Sequence, residues 1–127
     1  MQTQERRLLL KGYIMNVLDR KDDLIEFIYK DNQKSFLVWD QSIDQIKYTS
    51  DNLRERLDAI AEDMFESFDG DDGGRHSKKL YYAAALLIYS IKVDDFLRKR
   101  IDYQPDLLPD VLENILMGIN FQIPAKD

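Results

Sequence analysis

Two neighbouring stretches of this chain have residue types and spacings that bear on chemistry. The first is "FDGDDGGRHSKK", residues 68–79, with three aspartates, three of the five glycines and the only histidine. An oxygen-rich, glycine-containing loop between two helices is the arrangement that holds calcium in an EF-hand. With Asp69 at position 1 of such a loop, Asp71 falls at position 3, Gly74 at the turn position and Ser77 at position 9. Gly73 then stands at position 5 without a side-chain oxygen. Leu80 takes position 12, where a bidentate glutamate closes the shell. Two carboxylates helped by carbonyls and water hold calcium weakly, so no metal site is expected. The same letters serve a hinge: glycines permit the positive φ values that end one helix and turn the chain back, and the aspartates keep the turn in water. His76, with no cysteine or second histidine near it, is expected to face solvent and to titrate near neutral pH.

The second stretch is a stripe of carboxylates just before the loop. Glu55, Asp58, Glu62, Asp63 and Glu66 fall on one side of a helix, and Asp69, Asp71 and Asp72 continue the charge into the loop. The i, i+4 pairs Asp58/Glu62 and Glu62/Glu66 repel, each costing a few tenths of a kcal/mol, roughly. An acidic face of this kind is either an ordinary solvated surface or a docking site for a basic partner, where charge complementarity speeds association and sets specificity. No glycine-rich phosphate cradle, no G-x-S-x-G and no H-E-x-x-H is present. No catalytic residue is assigned, and neither an enzyme nor a cofactor is expected.

Bulk properties narrow the choice. A chain of 127 residues with 44% hydrophobic and 33% charged residues has the size and usage of one globular domain, taken as residues 1–127. Cysteine is absent, which excludes disulfides and thiolate chemistry and fits a cytoplasmic location. The N-terminal stretch, interrupted by Lys11 and Asn16, does not read as a signal peptide. The longest apolar run, "LYYAAALLIY" at residues 80–89, is about half of what a membrane span needs, so no membrane is expected as partner. A net charge of −6 argues against direct nucleic-acid binding. The charge is also divided: residues 40–72 carry eleven acids against three bases, and residues 75–100 carry seven bases against two acids. The loop is the boundary between them.

The elements that must position these groups follow from periodicity. Leu10, Tyr13, Ile14, Val17 and Leu18 predict a helix over residues 3–20, with a strand over 12–18 as the competing reading. Two apolar runs on either side of Lys30–Lys34 predict a β-hairpin within 24–39, its strands near 24–29 and 35–39, although a helix over 22–30 fits the first run as well. Leu53, Leu57, Ile60, Ala61, Met64, Phe65 and Phe68 predict a helix over 52–68. A long helix from Ser77 to about Tyr103 is expected to be central, because Leu80–Ile91 is apolar on nearly every side. Leu108, Val111, Leu112, Ile115, Leu116 and Ile119 predict a last helix, and "IPAKD", residues 123–127, should then fray.

The expected fold class is therefore mainly α, a compact bundle of about four helices with a small hairpin packed on it. The alternative is α+β with a short N-terminal antiparallel sheet. The expected function is that of a non-enzymatic cytoplasmic binding protein that holds, inhibits or neutralises a basic protein through its acidic face. Immunity proteins, antitoxins and phage inhibitors share this size and acidity, an analogy of type that rests on no motif. Two alternatives stand beside it: a nucleic-acid mimic that occupies a DNA- or RNA-binding groove, and a structural subunit that self-associates through Tyr81, Tyr82 and Tyr89.

Overall fold

The computed structural model describes residues 3–27, 53–69 and 78–124. Among them are five α-helices: α1 (Thr3–Asp19), α2 (residues 21–27), α3 (Leu53–Asp69), α4 (Lys78–Leu97) and α5 (Leu108–Gly118), with a 3-10 turn at Pro105–Leu107. No strand occurs among the described residues. The fold is mainly α, as the helical periodicities require.

α4 is the centre. Tyr81 and every residue from Ala83 to Ser90 are buried, which a helix achieves only when neighbours cover it on several sides. Those neighbours are α3, α1 and α5. Ser90, the polar interruption in this run, donates its hydroxyl to the Leu86 carbonyl at 2.7 Å and so is buried without an unmet donor. α3 lays Leu53, Leu57, Ile60, Ala61 and Met64 into the same core. Each large aliphatic side chain buried in this way contributes about 1.5–3 kcal/mol. Near the start of α4, the Tyr81 ring packs against Phe65 of α3 at 5.9 Å edge-on and Phe27 of α2 at 5.7 Å.

α1 buries Leu10, Ile14 and Val17 at the i, i+4, i+7 spacing and packs on both α4 and α5. Residues 12–18 are helix throughout, so the competing strand is excluded. Gly12 lies on the exposed side of α1 with open space around it, and the helix tolerates it at about 1 kcal/mol relative to alanine.

The β-hairpin expected within residues 24–39 is overturned, and the α+β alternative with it. Residues 24–27, the start of its first strand, belong to α2; its second strand, 35–39, lies outside the described residues. In a strand, Glu26 would share a face with Leu24. In the helix, Glu26 is exposed, Leu24 is buried, and Phe27, three residues on from Leu24, turns inward to Tyr81. Asp22 and Asp23 stand in the first turn of α2, where negative charge suits the positive end of the helix dipole. The break from α1 is one residue wide. Arg20 N–H bonds back to Asn16 and Val17, and Leu24 N–H bonds to the Arg20 carbonyl at 2.9 Å.

α4 ends at Leu97, short of the expected Tyr103. Asp94 explains the early stop. Its Oδ1 accepts from the Tyr103 hydroxyl at 2.5 Å and its Oδ2 from Arg98 Nε at 2.7 Å. Nine more helical residues would have carried Tyr103 about 13 Å along the axis from Asp94, too far for that bond. The chain instead tightens through bonds from Lys99 N–H to the Phe96 carbonyl and from Arg100 N–H to the Leu97 carbonyl, then turns. Pro105 opens the 3-10 turn, and Pro109 sits in the first turn of α5, where its missing N–H costs nothing.

α5 buries Leu108, Leu112 and Leu116 and closes in a Schellman motif. Asn120 takes a left-handed φ of 55°, Phe121 N–H bonds to the Leu116 carbonyl, and Asn120 N–H bonds to the Met117 carbonyl. Phe121 is buried, so the chain past α5 is tied to the core at least that far.

Candidate functional site

α3 presents the carboxylates that the sequence singles out. Its buried stripe faces α4, and the remaining side carries Glu55, Asp63 and Glu66 exposed and Asp58 and Glu62 half-buried. Partial burial pushes the Asp58 carboxyl above its ordinary range; Arg54 opposes the shift, and the charge of Glu62 adds to it. The proton is therefore held more tightly at Asp58 than at an isolated aspartate, chiefly because burial disfavours the charged form. Asp69 is the last residue of α3, and its side chain lies outside the described set, as do Asp71, Asp72, His76 and the other residues of the 70–77 loop. Leu80, at the twelfth position of the calcium register, is a half-buried residue in the first turn of α4, packed against the core.

The basic segment at residues 92–100 is partly engaged with its own helix. Arg98 bonds to Asp94, and that carboxylate holds the guanidinium above its ordinary pKa. Lys99 and Arg100 are exposed. Burial, followed by the hydrogen bond to Asp94, raises the Tyr103 hydroxyl to about 12, so it stays protonated throughout the neutral range. Of the tyrosines expected to mediate self-association, Tyr81 and Tyr89 are fully buried and Tyr82 half-buried. They serve the core.

A second site joins α1 to the segment after α5. An open groove of about 630 Å³ is lined by Arg6, Leu9, Leu10, Tyr13, Phe121, Gln122 and Ile123. Most of its wall is hydrocarbon, and Leu9 and Ile123 are exposed there. Among the described residues, Arg6 is the one charged group that lines it. The guanidinium donates to Oδ1 of Asn120 and, at 2.6 Å, to the Phe121 carbonyl. The other cations on this side of α1 meet carboxylates: Arg7 reaches Glu113 at 3.2 Å and Lys11 reaches Asp110 at 2.8 Å. Tyr13 packs its ring 6.3 Å from that of Phe121, and its buried hydroxyl has no hydrogen-bond partner among the described residues. Burial drives that hydroxyl to about 12. The one sequence signal for this arrangement is Asn120, a residue that readily takes the left-handed conformation, just past the apolar period of α5.

Among the described residues no group of three or more His, Asp or Glu side chains converges as metal ligands would, and no helix is long and apolar enough to cross a membrane. Compared with protein-family models, curated proteins and solved structures, the chain matches none.

Proposed function

We propose that this chain is a cytoplasmic, non-enzymatic binding protein that holds and neutralises a basic protein through the outer face of α3. One observation carries the proposal. The apolar stripe of α3 is buried, while Glu55, Asp58, Glu62, Asp63 and Glu66 occupy its outer side at least partly exposed. Folding needs the first stripe; within the second, acids four residues apart on a helix repel by a few tenths of a kcal/mol, roughly. Cations brought by a partner would relieve that repulsion and lower the raised pKa of Asp58. Phosphate-bearing nucleic acid would be repelled by the same face.

The test is charge reversal at Glu55, Asp58, Glu62 and Glu66 to lysine in one variant. Partner captured by the wild-type protein is mixed with each form by stopped flow over a range of ionic strength. The proposal expects wild-type association to slow steeply with salt, because rim charges act through the association rate, and the reversed protein to lose binding while its circular dichroism is kept. Equal rates for the two proteins, with no salt dependence, would leave the face an ordinary solvated surface.

A further inference from the structure

We propose that the groove between α1 and the segment after α5 binds a small apolar carboxylate, with Arg6 as its charge partner and Leu9, Leu10, Tyr13, Phe121 and Ile123 around its hydrocarbon part. The site is separate from the acidic face of α3 and does not depend on it.

Three features agree on this ligand class. The groove volume of about 630 Å³ falls within the ~300–1,000 Å³ of small-molecule sites, and its lining follows their pattern of apolar walls with few polar groups. The second feature is charge. Arg7 and Lys11, close by on the same helix, are compensated by Glu113 and Asp110, whereas the bonds of Arg6 go to a side-chain amide and a backbone carbonyl, both neutral. Those two acceptors orient the guanidinium and leave its charge in place. The third is donor capacity. A guanidinium offers five N–H groups in a fixed fork, so two bonds to Asn120 and Phe121 leave donors for a carboxylate, and the orientation they impose lowers the entropy cost of binding one. A neutral hydrocarbon would use the walls and leave the cation idle. A simple anion such as acetate would use the cation and leave the walls wet. An apolar chain ending in a carboxylate uses both.

Decanoate is the probe, with decanol and acetate as controls, titrated into the full chain by calorimetry. The expected result is one decanoate per chain, with decanol and acetate weaker by about tenfold or more, the size of one charge-assisted bond lost or one apolar contact surface lost. Arg6→Gln should erase the preference for decanoate over decanol. Because Arg6 also holds the segment after α5, a second variant leaves it untouched: Leu9→Glu changes an exposed residue of the groove wall and sets a carboxylate beside the guanidinium. That variant should keep the wild-type melting curve and lose decanoate binding. The proposal is overturned by an absence of saturable binding, by wild-type decanoate affinity in both variants, or by many decanoates per chain adsorbing as detergent does.

Discussion

The guanidinium of Arg6 donates to the backbone carbonyl of Phe121 at 2.6 Å, joining the first helix to the chain beyond the last one across 115 residues of sequence. The contact depends on how α5 ends. The left-handed Asn120 turns the chain back so that Phe121 can bury its ring and bond its N–H to Leu116, and the amide side chain of Asn120 then accepts from Arg6 as well. One residue thus serves as both the helix cap and an anchor for α1.

Substitutions at Asn120 should separate the two roles. Valine, which is β-branched, is strained at a φ of 55° and also lacks the amide, so Asn120→Val should cost about 2–3 kcal/mol. Glycine takes that φ freely, so Asn120→Gly should lose only the contact with Arg6, about 1 kcal/mol. Urea denaturation of the two variants checks the order. Equal losses would mean that the backbone conformation carries no cost there.

Tyr13→Phe should stabilise the protein. The Tyr13 hydroxyl is buried with no hydrogen-bond partner among the described residues, and a buried polar group left unmet costs about 1–3 kcal/mol. Removing the oxygen should raise the denaturation midpoint by an amount that is constant between pH 6 and 9, since the hydroxyl, raised to about 12, is neutral throughout that range. A loss of stability would show that the oxygen has a partner in solution.

How far the fold could be read from the sequence depended on whether a contact is local. α3 and α4 were legible because their core-facing residues, Leu53–Met64 and Tyr81–Tyr89, are long periodic or continuous apolar runs whose spacing leaves little alternative. α2 was not, since Leu24, Ile25 and Phe27 make too short a run to separate helix from strand, and packing against Tyr81 decides the matter. The end of α4 was hidden for a related reason. Arg98, Lys99 and Arg100 suit a helix C-terminus, but the bond from Tyr103 to Asp94 that turns the chain is tertiary. Of the candidate sites, the acidic stripe lies on one helix and follows from the 3.6-residue period alone. The groove is built from residues over a hundred positions apart, and no periodicity reports that distance.

Leu87→Ala should cost about 2–5 kcal/mol, as truncation of a leucine buried in a core does. Leu87 is fully buried in the part of α4 that its neighbours enclose, so the space it vacates has no route to solvent relief. Chemical denaturation measures the loss. A value below about 1 kcal/mol, typical of surface positions, would contradict the central placement of α4.

Asp58 makes the acidic face visible in the pH dependence of stability. Its pKa in the folded protein lies above the ordinary 3.8, chiefly through partial burial, with the charge of Glu62 adding to it and Arg54 opposing. Between the ordinary and the raised value the folded state binds more protons at this site than the unfolded state does, so its contribution to stability falls as pH rises through that window. Above the window the full penalty remains; below the ordinary value both states are protonated and the penalty vanishes. Asp58→Asn removes the titration. The variant should be more stable than wild type at pH 7, and the difference should shrink to nothing as pH is lowered through the window, which urea melts at a series of pH values would show. A basic partner bound along α3 would stabilise the ionised carboxylate and reverse the sign, so that the complex, unlike the isolated chain, is weakened by the same substitution at neutral pH. If the variant is less stable than wild type at pH 7 with no partner present, Asp58 is already compensated within the chain, and the acidic face has no charge repulsion for a partner to relieve at that position.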